Sequence, residues 1–142
     1  MDVNECLDKR ILRKIFPNSE KSKSSLRIAE AKLEEARRLF VSDFFSNSVL
    51  SVYTSMFHAV RSLLYRDGIQ EKSHYATYVY IAEKYSSKVS KNLLNSFNFL
   101  REERHEILYG FEEKISQESA ENALLDAEEF LMEIKKILEN EK

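Results

Sequence analysis

Turn-forming residues are scarce in this chain, which has only two glycines and one proline among 142 residues. Glycine and proline provide the backbone conformations that tight turns need, so a protein with many strands and hairpins would lack them. A few long helices need few such turns. The scarcity therefore predicts an all-α protein. Gly68 and Gly110 are too far apart for a glycine-rich phosphate loop.

Apolar residues recur at intervals of three and four along most of the chain, the spacing that places side chains on one face of a helix. The pattern predicts an amphipathic helix over residues 3 to 15, ended by Pro17, and longer helices after it. We therefore expect an antiparallel up-and-down four-helix bundle with an additional short N-terminal helix. Residues 1–142 form a single domain with its core at about 20–138, and residues 1–17 hold the N-terminal helix.

The most informative stretch is residues 95–111, NSFNFLREERHEILYGF, because charge interrupts its apolar stripe. Arg104 falls on the row that contains Leu93, Phe97, Leu100, Ile107 and Phe111, and Arg101 breaks the neighbouring row of Leu94 and Leu108. His105 and Tyr109 follow Arg101 at four-residue intervals. Burying an unpaired charge is costly. Either these arginines meet acidic partners inside the protein, or they hold an anion on a partly open face.

Charge and composition limit the classes of function. The net charge is -2, but residues 1–40 carry ten Lys and Arg against seven Asp and Glu, and residues 116–142 carry three against eight. Any nucleic-acid contact must therefore be local. No apolar run reaches a membrane-spanning length and no signal peptide is visible, so we expect a cytoplasmic protein that does not contact membranes. Cys6 is the single cysteine, which leaves no disulfide framework, and we expect no cofactor.

Two of the predicted helices carry recognisable motifs: residues 53–64 read YTSMFHAVRSLL, and residues 100–110 read LREERHEILYG. The first is similar to a pattern with Met-Phe-His-Ala, and the second to an Arg-containing variant that ends in Tyr-Gly. In both, the chain resembles the HEPN family, helical domains found beside minimal nucleotidyltransferases in bacteria and archaea. The resemblance covers roughly residues 20–138.

The resemblance implies a homodimer in which the two motif helices face each other across a cleft. It implies a minimal nucleotidyltransferase as partner in a toxin-antitoxin-like or regulatory pair, and RNA or a nucleotide as ligand. Active members are metal-independent RNases with an Arg, four to six residues and a His. Here Arg104 is followed by Tyr109 in the His position, which predicts weak or absent cleavage, since a phenol with a pKa of about 10 remains a proton donor at neutral pH.

Arg104 and Tyr109 are therefore the candidate catalytic residues, and both are able to bind a phosphate. Arg101, His105, His58 and Arg61 are the candidate binding residues. A lone histidine such as His58 is more often a packing or hydrogen-bonding residue than a catalyst.

Two other interpretations stay open. The spacings Glu102-x-x-His105 and Glu71-x-x-His74 match the ligand pattern of di-iron helical bundles, although Arg101 and Arg104 would repel a dication. The alternative is a non-catalytic helical dimerisation or interaction module whose arginines pair with glutamates of the other subunit.

Overall fold

A computed structural model describes residues 1–110 and 114–140 of the protein. The elements, in chain order, are α1 (Val3–Asp8), β1 (Leu12–Lys14), α2 (Ser19–Val41), α3 (Phe45–Asp67), β2 (Ile69–Glu71), α4 (His74–Lys84), α5 (Lys91–Tyr109) and α6 (Gln117–Asn140). The prediction of an all-α fold is confirmed, with a small two-stranded ribbon added. In the described part of the chain, no helix has the length and apolar character needed to cross a membrane.

The four long helices α2, α3, α5 and α6 form the bundle, and α3 contacts each of the other three. α2 runs antiparallel to both α3 and α6, so α3 and α6 run parallel to each other. Arg37 contacts Glu128 and Glu30 contacts Lys135, so residue numbers rise along α2 as they fall along α6. Phe97 of α5 stacks between side chains of α3 and α6 at the centre of the core.

Small residues spaced seven apart line the contact between α2 and α3. We call this set the serine seam: Ser22, Ala29 and Ala36 on α2, and Ser48, Ser55 and Ser62 on α3. Three serine hydroxyls donate hydrogen bonds to backbone carbonyls of the facing helix. The distances are 2.7 Å from Ser22 to the Ser62 carbonyl, 2.6 Å from Ser55 to that of Ala29 and 2.8 Å from Ser48 to that of Ala36. The short side chains let the two backbones approach closely while every buried hydroxyl keeps a partner.

The helix predicted over residues 3–15 is wrong beyond Asp8. The chain turns at Arg10, whose φ is 60°, and then forms β1, which pairs antiparallel with β2. Leu12 is fully buried in this arrangement. Of the apolar positions spaced four apart, Val3 is buried and Leu7, Ile11 and Ile15 are only half-buried, and Leu12 lies outside that row. Pairing with a strand distant in sequence outweighed the local preference for helix.

Gly68 fixes the ribbon to the end of α3. Its φ of 78° is left-handed, as the Asp67-Gly68 pair predicts for a helix end. Its carbonyl accepts a hydrogen bond from the Ile15 amide at 2.9 Å, and a Cβ at this position would lie 2.7 Å from the Ile15 carbonyl oxygen. Only glycine permits both the backbone conformation and this close approach.

Two buried tyrosines hold α4 against the same end of α3. The hydroxyls of Tyr80 and Tyr85 donate to one carboxylate oxygen of Asp67, at 2.8 and 2.5 Å. Burial, followed by these hydrogen bonds to Asp67, raises the pKa of both phenols. The end of α4 is thereby fixed to the end of α3, while the start of α4 and α5 border a groove.

Candidate functional site

An open groove of about 810 Å³ lies between the start of α4 and the second half of α5. The residues that line it are Ser73, His74, Tyr75, Phe99, Arg101, Glu102, Glu103, Arg104, His105 and Glu106. The predicted apolar row on α5 is buried only as far as Leu100. Arg104 and Ile107, farther along the row, are half-buried, and Phe111 is outside the described residues. The charged end of α5 therefore extends beyond the core and forms one wall of the groove.

Aromatic rings stack beneath this groove. Tyr53 of α3 stacks on Phe97, with ring centroids 5.6 Å apart, and its hydroxyl is hydrogen-bonded to Nδ1 of His74 at 2.9 Å. The His74 ring in turn stacks on Phe57, at 4.2 Å between centroids. His74 is thus held on two sides, by a hydrogen bond and by a ring face.

Two arginines of α5 lie against aromatic faces. The Arg104 guanidinium is 5.9 Å from the centroid of Tyr53, and that of Arg101 is 5.2 Å from the centroid of Tyr75. Arg101 also donates twice to Asn98, and its ion pair with Glu102 is long, at 3.6 Å. Within residues 1–110 and 114–140, Arg104 has neither a hydrogen bond nor an ion pair. Its donors therefore remain available to a ligand.

The pKa values of the groups beneath the groove reflect burial and positive charge. Burial lowers the pKa of His74, and the positive charges of Arg104, Arg101 and Arg61 lower it further. Burial raises the pKa of Tyr53, although Arg104 and Arg101 oppose this shift. The groove thus has a neutral imidazole and a neutral phenol under two permanent cations, which favour an anion at that point, while Glu102, Glu103 and Glu106 line the rest of the groove.

Three of the predicted site residues line this groove, namely Arg101, Arg104 and His105. Tyr109 is not among the lining residues. Its side chain is 71% exposed in the last turn of α5, and its ring is 5.1 Å from that of His105. His105 therefore links the groove to the exposed end of the helix.

His58 and Arg61 lie elsewhere on α3. Arg61 donates through Nε to Glu71 at 2.8 Å and through its terminal nitrogen to Tyr65 at 2.6 Å, so it joins α3 to β2. His58 is half-buried, and its Nδ1 has no hydrogen-bond partner within the described residues. The structure therefore places neither of these two candidate binding residues in the groove.

His74 is a site residue that no sequence pattern assigns to this groove, since its one recognisable spacing is the Glu71-x-x-His74 match to a metal-ligand pair. The signal was weak: a histidine directly after Ser73, whose hydroxyl caps α4 by accepting from the Ala76 amide. What distinguishes His74 is its contact with Tyr53 and Phe57, which are about twenty residues away in sequence, and no local pattern reveals it.

The carboxylates of the di-iron hypothesis have other partners. Both oxygens of Glu71 are engaged, one by Arg61 and the other by Gln70 at 3.0 Å. Glu102 is exposed beside Arg101. No three acidic, histidine or cysteine side chains in the described part of the chain converge as metal ligands would. This geometry does not favour a carboxylate metal centre.

His58 should make the protein less stable in mild acid. Burial, reinforced by the charges of Arg61, Lys32 and His74, lowers its pKa to about 4 from 6.5. The unfolded chain therefore binds this proton first, and the stability present above pH 6.5 is lost as the pH falls towards 4. We expect His58 to account for roughly 1 to 2 kcal/mol of lost unfolding free energy between pH 7 and pH 5.

Urea unfolding of the wild type and His58→Phe at both pH values measures this contribution. The variant should lose less unfolding free energy on acidification than the wild type. The loss that His74 causes remains in both proteins, because its pKa is also lowered. Equal losses in the two proteins would contradict the assignment to His58.

Comparison with known proteins gives two matches. The family model described as "HEPN domain" matches residues 22–137. A protein of Methanocaldococcus jannaschii named "Putative toxin MJ0142" is 28% identical over 140 residues, which cover 97% of this chain and 88% of that protein. The family match includes α3, α5 and the whole α4–α5 groove, and the chain belongs to the HEPN domain family.

Proposed function

We propose that this protein is the HEPN half of a toxin-antitoxin-like or regulatory pair with a minimal nucleotidyltransferase, and that it binds RNA or a nucleotide through phosphate in the α4–α5 groove. The observation that carries the proposal is Arg104, a guanidinium placed at the groove without an acidic partner among the described residues. The toxin name of the archaeal relative supports the toxin-antitoxin context.

Two arginines of the groove support phosphate as the ligand. Arg104 and Arg101 lie one helical turn apart on the same wall, so their guanidinium groups can contact one phosphate or two successive ones. The aromatic faces of Tyr53 and Tyr75 behind them restrict the arginine side chains, which reduces the entropy lost on binding.

The end of α5 also supports a homodimer. Leu108 and Tyr109 are 45% and 71% exposed, and they lie on the part of the helix that extends beyond the core. Large exposed apolar side chains close together are typical of an interaction surface. Packing α5 of one copy against α5 of another would cover them and close the groove into a shared cleft.

Arg104→Ala tests the proposed site. We expect the affinity for a fluorescein-labelled 15-nucleotide single-stranded RNA to fall about tenfold or more, because a charge-assisted phosphate contact is lost. The melting temperature should change little, since no described acid loses a partner. Arg27→Ala is the matched control: this exposed α2 arginine donates to Ser24 and has no acidic partner among the described residues, and its removal should leave RNA binding unchanged.

The opposite result has a specific meaning. If Arg104→Ala lowers the unfolding free energy by about 3 to 5 kcal/mol and leaves RNA binding unchanged, the arginine is a member of a buried ion pair between subunits. The non-catalytic dimerisation module would then be the correct function. For the partner, a reading frame next to this gene that encodes a small nucleotidyltransferase would support the pair, and its absence would count against it.

A further inference from the structure

A second hollow, of about 890 Å³, lies beside the β1–β2 ribbon. We propose that it binds the backbone of single-stranded RNA and continues the α4–α5 groove, an inference that rests on the proposed RNA-binding function. We call its cations the ribbon patch: Arg10, Arg13, Lys14 and Lys72. The three that belong to the N-terminal segment precede residue 22, where the family match begins, so membership of the family does not account for them.

The charges of the ribbon patch are not balanced by the protein. All four side chains are exposed, and none has a hydrogen bond or ion pair with another described residue. Among the described residues that line the hollow, Asp8 is the single acid. Four cations held close together repel one another, and an anionic polymer would relieve that repulsion.

The ribbon fixes the backbone from which Arg13, Lys14 and Lys72 extend. Arg13 pairs with Gln70 across the two strands, and the Lys72 amide donates to the Ile11 carbonyl at 2.8 Å. The ion pair between Arg61 and Glu71 then ties β2 to α3. A binding surface built on such a fixed frame loses little conformational entropy when a ligand binds.

An unusually exposed aromatic ring follows the ribbon patch. Phe16 is 94% exposed and comes two residues after Lys14, a distance of about 7 Å along an extended chain. In proteins that bind single strands, bases stack on exposed aromatic rings while Lys and Arg contact the nucleic-acid backbone. This combination favours a single-stranded nucleic acid over an acidic protein, whose carboxylates would leave the ring uncovered.

Two consecutive residues line the two hollows. Lys72 lines the hollow of the ribbon patch, and the next residue, Ser73, lines the α4–α5 groove. One strand of RNA can therefore contact the ribbon patch and then pass His74 to reach Arg101 and Arg104. The ribbon patch would hold the flanking nucleotides of the strand whose phosphate lies at Arg104.

Binding of a 15-nucleotide 2′-O-methyl oligouridine to the full chain, followed by fluorescence anisotropy from 50 to 200 mM salt, tests the inference. This strand cannot be cleaved through its 2′-hydroxyl groups. For Arg13→Ser with Lys14→Ser, the slope of log affinity against log salt should become shallower by about 1.4, with about tenfold weaker binding at low salt. Lys23→Ser with Lys91→Ser removes two exposed cations elsewhere and is the matched control.

Phe16→Ala separates stacking from charge. It should weaken binding about tenfold and leave the salt slope unchanged, because a ring releases no counterions. If the Arg13 and Lys14 variant binds like the control pair while Arg104→Ala loses affinity, the ribbon patch is refuted and the proposed function stands. If the wild type does not bind the strand, the proposed function fails and the inference fails with it. If only the ribbon variants lose affinity, the continuous path to Arg104 is wrong.

Discussion

Tyr109→His should give the protein an RNase activity that needs no added metal and exceeds that of the wild type by about 100-fold to 10,000-fold, the usual contribution of a general acid-base group. An imidazole with a pKa near 6.5 both accepts and donates a proton at neutral pH, whereas a phenol with a pKa of about 10 does not. The substitution also places a histidine after Arg104 and four intervening residues, which is the spacing of the RNase motif that the family resemblance implies. Cleavage of a labelled RNA in excess chelator measures the gain.

The helix geometry favours an activity that two copies share. Arg104 and Tyr109 are five residues apart on α5, so their side chains point about 140° apart around the helix axis. Tyr109 is exposed at the end of α5, and Arg104 faces the groove. A cleft between two α5 helices would bring residue 109 of one copy towards Arg104 of the other.

A mixing experiment tests that arrangement directly. The double variant Tyr109→His with Arg104→Ala should be inactive, and the wild type should be weak or inactive. After the two are mixed and allowed to exchange subunits, heterodimers combine the new histidine of one copy with Arg104 of the other, so activity should appear. An inert Tyr109→His protein, or a mass by light scattering that stays monomeric at micromolar concentration, would contradict the shared cleft.

Ser55→Leu should lower the unfolding free energy by about 3 kcal/mol, because the serine seam has no room for a larger side chain. Ser55 is almost fully buried, and its hydroxyl donates to the Ala29 carbonyl. Ser55→Ala, which removes only that hydrogen bond, should cost about 1 kcal/mol. Ser24→Leu adds the same side chain at an exposed position of α2 and is the control. Urea unfolding measures all three, and equal effects of the two leucines would contradict the close approach of α2 and α3.

Helix positions could be predicted from the sequence because each long helix buries a regular apolar face, and the arginines at the end of α5 were recognised because they interrupt such a face. The serine seam also has a visible signal, since serines recur every seven residues at 48, 55 and 62. Ser55 resembles a surface residue until the alanines of the facing helix are known. Which residues face each other across the helix pair is set by tertiary structure, and the local sequence does not reveal it.

The ribbon and the part played by His74 could not be predicted for a related reason. Leu12 pairs with Glu71, and His74 contacts Tyr53, so each feature depends on segments that are far apart in sequence. The spacing of Val3, Leu7 and Ile11 suits a helix equally well, and only the hydrogen-bonding groups of β2 decide between the two structures. The fully buried Leu12 lies outside this periodic row, because a strand and not a helix buries it.

The serine seam also bears on the order in which the chain folds. Only residues 42–44 separate α2 from α3, so this helix pair closes a very short loop, whereas Lys14 and Ile69 must close a loop of more than fifty residues. Local contacts form faster than distant ones, so the helix pair should be an early folding unit and the ribbon a late one. Native-state amide exchange should then be slowest in α3 beside Ser55 and faster in β1. The proposed RNA path would thus be completed only in the last step of folding, and a newly made chain would acquire its helical core before it acquires its ligand.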